Sequence, residues 1–246
     1  LQFLDENDID STYQIISNLN ANLFDISSKS DDFSAAIEEM SLFVEDYALD
    51  IIHSNASFSV ASGVARLEKL NVNTPNSHLI VDLSMRFPAG VSQDSFNDIF
   101  IDAHVKESYI GMEDMRSFVP NVSASDSFAL DELIFSGTPN KFSLDSIRLS
   151  LSDSNFSGSF SLNNMKKTSN LVIDELIINP KDILAFVPSL EQSQVDFLQH
   201  LGTSKMTGEM TRRSSNHKID MALYTSFGLL DVDVDFLRED SQLLPL

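Results

Sequence analysis

The chain has 246 residues, of which 42% are hydrophobic, enough to bury the core of one large β-domain or two small ones. Its 16 basic and 37 acidic residues give a net charge of −21, which repels nucleic-acid phosphates and anionic membrane surfaces, so we expect no nucleic-acid partner. The sequence contains no cysteine, which excludes disulfides, thiolate metal sites and a cysteine nucleophile.

The first residue is Leu1, and the chain has neither a signal-peptide pattern nor a run approaching the roughly 18 apolar residues of a membrane span. We therefore expect the chain to be a segment of a longer polypeptide. A targeting segment or an anchor would then lie elsewhere in that polypeptide.

The N-terminal quarter has the composition of β-structure. Strands are predicted near residues 12–16, 20–26 and 33–44. The apolar residues of 33–40 also fit helical spacing, so the sequence leaves strand and helix open there.

Apolar and polar residues alternate along most of the remaining chain, which predicts strands with one buried face. Such stretches lie at residues 56–67, 99–108, 128–135, 170–178, 218–224 and 229–236. A hairpin is predicted around the turn at residues 152–155, with Ile147 and Phe156 on the apolar face of its two strands and Ser150 and Ser157 on the other.

The chain repeats itself. Residues 70–85, 147–162 and 221–236 align without gaps, and apolar residues coincide at most alternate positions. Repetition of this kind predicts stacked β-units rather than an active site on a unique scaffold.

A second repeated pattern matches residues 110–120 with residues 178–188. Each copy predicts a strand, one or two helical turns and a stop, because Pro180 suits a first helical turn whereas Pro120 and Pro188 cannot continue a helix. A longer helix is predicted over residues 190–201, with Gly202 as its C-cap, and residues 87–94 have the composition of a loop inserted in the first copy.

These patterns predict a mainly β fold in which repeated antiparallel hairpins form an extended, curved sheet, a β-taco or half-open groove, with a few short helices. No linker divides the chain, so we expect one β-repeat segment over residues 1–246. Its repeat cores lie near residues 56–120, 128–188 and 203–236.

The residues that carry common catalytic or metal chemistry are not arranged for it. The five histidines have no metal-ligand spacing, and no GxSxG nucleophile motif is present. The acidic stretch at residues 5–10 has Asp10 and Ile16 where a calcium loop needs glycine and glutamate, and Asp231, Asp233 and Asp235 fit a solvated strand face. We predict no catalytic residue, metal or cofactor, and no enzymatic activity.

Three features resemble the AsmA and TamB proteins of Gram-negative bacteria, especially the Bacteroides-type members. They are the Asn155-Phe156-Ser157-Gly158-Ser159-Phe160 strand, the segment from Asn179-Pro180 to Phe186-Val187-Pro188, and the closing stretch 226–234. The resemblance covers roughly residues 56–236, whereas the first fifty residues match no pattern that we can name.

This resemblance implies a half-open β-groove in the periplasm, tethered to the inner membrane by a segment outside the chain, that takes part in outer-membrane biogenesis. It implies transport of phospholipid along an apolar groove or help in assembling outer-membrane proteins. The implied partners are phospholipid acyl chains, an outer-membrane barrel protein and the remainder of the same polypeptide.

The groove wall would be formed by the apolar residues of the three aligned segments. The candidates are Leu70, Val72, Leu79, Val81, Leu83, Met85, Ile147, Leu149, Leu151, Phe156, Phe160, Leu162, Met221, Leu223, Leu230, Val232, Val234 and Phe236.

Two alternatives stay open at the level of sequence. One is an ordinary core, in which the same residues pack on one another and on the helices around Ile183 and Phe197. A surface or adhesion β-sandwich would close two sheets over that core and bind partners through its loops.

Overall fold

The computed structural model describes residues 15–30, 32–88, 97–116, 127–186 and 190–237. Thirteen strands form one sheet, and their order in the sheet is their order in the chain. Every neighbouring pair is antiparallel. The sheet is open and uncurled, with β1 and β13 at its edges.

The strands are mostly ten to fourteen residues long. They are β1 Ile16–Lys29, β2 Asp32–Val44, β3 Leu49–Ala61, β4 Val64–Asn73, β5 His78–Arg86, β6 Phe100–Gly111, β7 Ser127–Thr138, β8 Lys141–Leu151, β9 Ser154–Asn163, β10 Thr168–Ile178, β11 Ser204–Arg213, β12 Asn216–Thr225 and β13 Gly228–Leu237.

Helices are short and follow the ends of strands. They are a 3-10 turn at Glu45–Tyr47, α1 Met112–Met115, α2 Pro180–Phe186 and α3 Gln192–Leu201. Helix α3 begins with a capping box between Glu191 and Gln194 and ends at Gly202, whose φ of 66° is readily adopted by glycine. The predicted C-cap is confirmed.

The prediction of a mainly β fold of repeated antiparallel hairpins in an extended sheet is confirmed. Residues 33–40 lie in strand β2, so the predicted strand is confirmed there and the helical alternative is wrong. One detail differs from the sequence interpretation, because the alternating stretch 56–67 is divided by a turn at Ser62 and Gly63, where φ is positive. Because the sheet is uncurled, its apolar side is broader and more open than the groove that the resemblance implies. Residues 12–14 and most of the predicted loop at 87–94 lie outside the described residues.

The three aligned segments fold into hairpins of identical register. Leu70 pairs with Val81 in the first copy, and the aligned pairs are Ile147 with Gly158 and Met221 with Val232. The repeat seen in the sequence is therefore a repeat of strand pairing.

A bulge is repeated as well. Lys69 and Ser146 occupy aligned positions, both have a left-handed backbone with φ near 50°, and each lies at a register shift in its hairpin. The Lys69 amide donates a hydrogen bond of 2.7 Å to the Asp82 carboxylate on the next strand. Each bulge absorbs one residue, so the apolar side chains before and after it stay on the same side of the sheet.

The most tightly packed part of the sheet centre is built around isoleucines that face glycines. Ile173 on β10 is 6% exposed and lies between Gly158 on β9 and Gly208 on β11. A Cβ atom at Gly158 would lie 2.2 Å from the carbonyl oxygen of Val172. Only glycine permits this close approach of the strands.

We expect Gly158→Ala to lower the free energy of unfolding by about 1–3 kcal/mol, because the added methyl group forces β9 away from β10. Urea denaturation followed by circular dichroism measures this change. Ser161→Ala on the exposed side of the same strand is the control and should change stability by less than about 0.5 kcal/mol. Equal effects of the two substitutions would refute the packing argument.

Candidate functional site

One face of the sheet is mainly apolar from β2 to β13, and we call it the apolar face. Residues directly opposite each other on antiparallel strands share a face, so a row can be followed from strand to strand. The central row is Ala35, Phe58, Leu67, Leu83, Ala103, Phe135, Leu144, Phe160, Leu171, Met210, Ile219 and Val234. The row contains no polar residue.

We call the opposite side of the sheet the polar face. It is defined by a second row of paired residues, which on β2 to β13 are each adjacent along the strand to a residue of the central row, and this row crosses all the strands. That row is Ser27, Ser34, Ser59, Arg66, Ser84, Asp102, Ser136, Ser143, Ser161, Asn170, Thr211, Lys218 and Asp235. The two faces of the sheet therefore differ in polarity, although the apolar face also carries Ser169, Arg212 and His217, in the row between Leu162 and Phe236.

All the predicted groove residues lie on the apolar face, and the pairing of the strands brings them together. Ile147 is the only one of them that is buried, at 8% exposure. Most are half-buried, and on β13 Leu230 and Phe236 are 56% and 43% exposed. These side chains pack against neighbours within the sheet and still meet solvent.

The sequence analysis missed other residues of the same face, which lie outside the aligned segments, some of them on the same strands. Among them are Phe58, Leu67, Val105, Phe135, Leu144, Leu171, Leu176, Met206 and Ile219. Leu67 and Leu144 lie three residues before Leu70 and Ile147, so they break the period of two. That single slip in the alternation is the sequence signal of the bulge and could have identified them.

The apolar face is large for a surface. Neighbouring strands lie about 4.8 Å apart and ten residues of strand span about 33 Å, so the face measures roughly 58 Å by 33 Å. This is several times the roughly 300–600 Å² of the largest apolar patch on a typical monomer. An exposed apolar face of this size is typical of an interaction surface, and within the described residues the helices contact few residues of the strands.

At the end of β6, hydrogen bonds connect helix α1 to the turn between β4 and β5. In helix α1, the Asp114 carboxylate accepts hydrogen bonds from the hydroxyls of Thr74 and Ser77 and, at 3.0 Å, from the Asn76 side-chain amide. The Gly111 amide donates in turn to the Ser77 hydroxyl at 3.0 Å. Partial burial acts to raise the pKa of Asp114, but the hydrogen bonds from Asn76, Ser77 and Thr74 together hold this pKa below its usual range.

The second copy reproduces this junction in part. Ser154 and Asp182 occupy the positions that align with Ser77 and Asp114, and the Ser154 hydroxyl donates to the Asp182 carboxylate at 2.6 Å. The Asn179 amide donates to the same hydroxyl at 2.8 Å, as Gly111 does in the first copy. Helix α2 is thus fixed to the hairpin through Ser154, whereas α1 is fixed through three side chains.

Ion pairs on the polar face are exposed. Lys106 Nζ lies 3.0 Å from Asp82, and Glu132 contacts both Arg148 and, at 3.4 Å, His104. Hydrogen bonds from the Lys69 amide and the Lys106 side chain are the main reasons why the pKa of Asp82 is lowered. Exposed pairs of this kind contribute little to stability, so they mainly keep this face in water.

The part of the chain that the structure describes holds no cluster of three or more His, Asp or Glu side chains able to bind a metal ion. Within the same residues, no helix is long and apolar enough to cross a membrane.

No family model, curated protein or solved structure matches the chain.

We expect Asp114→Ala to lower the free energy of unfolding by about 1–3 kcal/mol at pH 7, because the buried Ser77 hydroxyl loses its acceptor. The Asp114 pKa is lower in the folded chain than the unfolded value of about 3.9, so its contribution is complete above that value. The contribution is lost as pH falls through the folded pKa.

Urea titrations from pH 7 down to acid should therefore show the difference between wild type and Asp114→Ala narrowing below about pH 4. Glu113→Ala, which removes an exposed ion pair with Arg116 in the same helix, is the matched control and should have little effect at any pH. A difference that stays constant with pH would contradict the role of the Asp114 charge.

Proposed function

We propose that this chain is a periplasmic segment of an AsmA/TamB-like protein, tethered to the inner membrane elsewhere in its polypeptide, and that its apolar face carries phospholipid acyl chains during outer-membrane biogenesis. The observation that supports this proposal is the unbroken apolar row from Ala35 on β2 to Val234 on β13. An acyl chain moving across the strands would meet no polar side chain along it.

The dimensions of the face suit this cargo. One acyl chain spans about 15 Å, half of the roughly 30 Å hydrocarbon core of a bilayer, and therefore fits within the length of a strand. Each methylene group taken out of water contributes about 0.8 kcal/mol, so a chain of a dozen or more methylenes binds without any specific polar contact. Non-directional binding of this type allows a lipid to slide.

The partial exposure of the apolar residues also supports this proposal. Met210, Val234 and Phe236 are 37%, 42% and 43% exposed. These residues retain free surface that a hydrocarbon chain can cover.

The alternative of a closed β-sandwich receives less support. It needs a second sheet facing the first, and the described residues all belong to one sheet or to short helices at its ends. A loop-based adhesion function would also leave the apolar face unexplained.

The first test is to purify the chain, extract it with organic solvent and quantify bound phospholipid by mass spectrometry. We expect lipid in the wild type and at least about a tenfold loss in the Val81→Asp/Leu149→Asp variant, because a carboxylate on the apolar face cannot be solvated under an acyl chain.

The matched control is Ser84→Asp/Ser161→Asp, which adds the same charge on the polar face and should retain lipid. Circular dichroism checks that both variants fold. A stable wild-type monomer without lipid, or equal loss of lipid in both variants, would overturn the proposal.

A further inference from the structure

A cleft of about 490 Å³ lies at the end of the apolar face, where helix α2 covers strands β8 to β10. This volume is within the range of about 300–1,000 Å³ that is typical of small-molecule sites. The side chains that matter here are Leu149, Leu151, Phe156, Leu176, Ile178 and Ile183. We call this cleft the α2 cleft.

The surface that lines the α2 cleft is almost entirely apolar. Among its polar residues, Ser154 donates its hydroxyl to the Asp182 carboxylate and accepts from the Asn179 backbone amide, and Asp182 is 8% exposed. The cleft therefore suits a ligand that is apolar over the part that enters.

The aligned first copy shows that such a cleft is not a necessary product of the repeat. Thr74 and Ser108 stand there at the positions of Leu151 and Leu176. The Thr74 hydroxyl donates to Asp114, and the Ser108 hydroxyl donates to the Lys106 carbonyl at 2.9 Å. In the first copy, polar side chains at these positions form hydrogen bonds beside α1. In the second copy, leucines at the same positions leave an open apolar cleft beside α2.

The α2 cleft is also continuous with the apolar face. Leu149, Phe156 and Leu176 are directly paired across β8, β9 and β10, and the same row continues to Met206, Leu223 and Leu230. Ile183 of α2 and the bonded pair of Ser154 and Asp182 line the cleft beside this row, where β8 and β10 end and β9 begins. An acyl chain that leaves the row toward these strand ends therefore enters the cleft and is bounded there by α2.

We propose that the α2 cleft holds the methyl end of one acyl chain and so fixes the position of a lipid on the apolar face. This inference rests on the proposed function and adds a defined binding site to it. The headgroup would then lie away from α2, over the exposed strands.

Photocrosslinking tests the position of the chain end. The full chain is incubated with phosphatidylcholine vesicles in which a small fraction of the lipid carries a diazirine, either at the last carbon of the acyl chain or next to the headgroup. Crosslinked peptides are mapped by mass spectrometry. We expect the terminal probe to label mostly residues 149–156 and 176–183, and the headgroup probe to label other strands.

The variant Leu151→Thr/Leu176→Ser introduces the residues that stand at the first junction. It should reduce labelling by the terminal probe at these peptides by about tenfold, the effect of removing two or three buried methylene contacts. Ser159→Ala/Ser161→Ala changes two side chains on the polar face of β9, outside the lipid-binding surface, and should leave this labelling unchanged.

The outcomes separate the two proposals. Terminal-probe label spread evenly over the apolar face of the wild type would overturn the α2 cleft while leaving lipid transport in place. Failure of both probes to label the wild type would overturn both. The wild-type map decides the question even if the Leu151→Thr/Leu176→Ser variant does not fold.

Discussion

Strand register is the constraint on which the rest of this structure depends. Because side chains alternate with a period of two, a slip of one residue between any two strands would move a whole strand's apolar set to the other face. The row from Ala35 to Val234 stays apolar because every strand pairing keeps the apolar residues on the same face. Where the sequence inserts a residue, the bulges at Lys69 and Ser146 absorb it and return the following apolar residues to that face. The separation of an apolar face from a polar face thus depends on all the strand pairings together, since no single strand determines it.

A sheet held in this way has little core in the usual sense. Each strand pairs only with its neighbours in the sequence, so stability is built up along the axis as in other repeat proteins. The buried residues are accordingly small, such as Ala56 and Ala65, or lie next to small neighbours, as Ile173 does between two glycines. The large residues, which bury most area when covered, are left partly exposed.

Period and repetition made the strands and their shared face predictable from the sequence. Ile147, Phe156 and Met221 were placed on that face by alternation alone, and their common register followed from the gapless alignment. What alternation cannot encode is long-range pairing: Leu176 joins Leu149 and Phe156 only because β9 lies between β8 and β10, and the α2 cleft appears only when these strands are assembled. The paired roles of Ser77 and Asp114 were missed for the same reason, since nearly forty residues separate them.

The two edges of the sheet show how a one-sided sheet of this size avoids pairing with itself. On β13, Asp231, Asp233 and Asp235 point to the polar face, so antiparallel pairing of two copies through this edge would place rows of carboxylates opposite each other. On β1, the left-handed residues Asn18 and Asp25 interrupt the regular ladder, and an irregular edge is a poor template for another strand. Both features disfavour the pairing of these two strands with the same strands of a second copy.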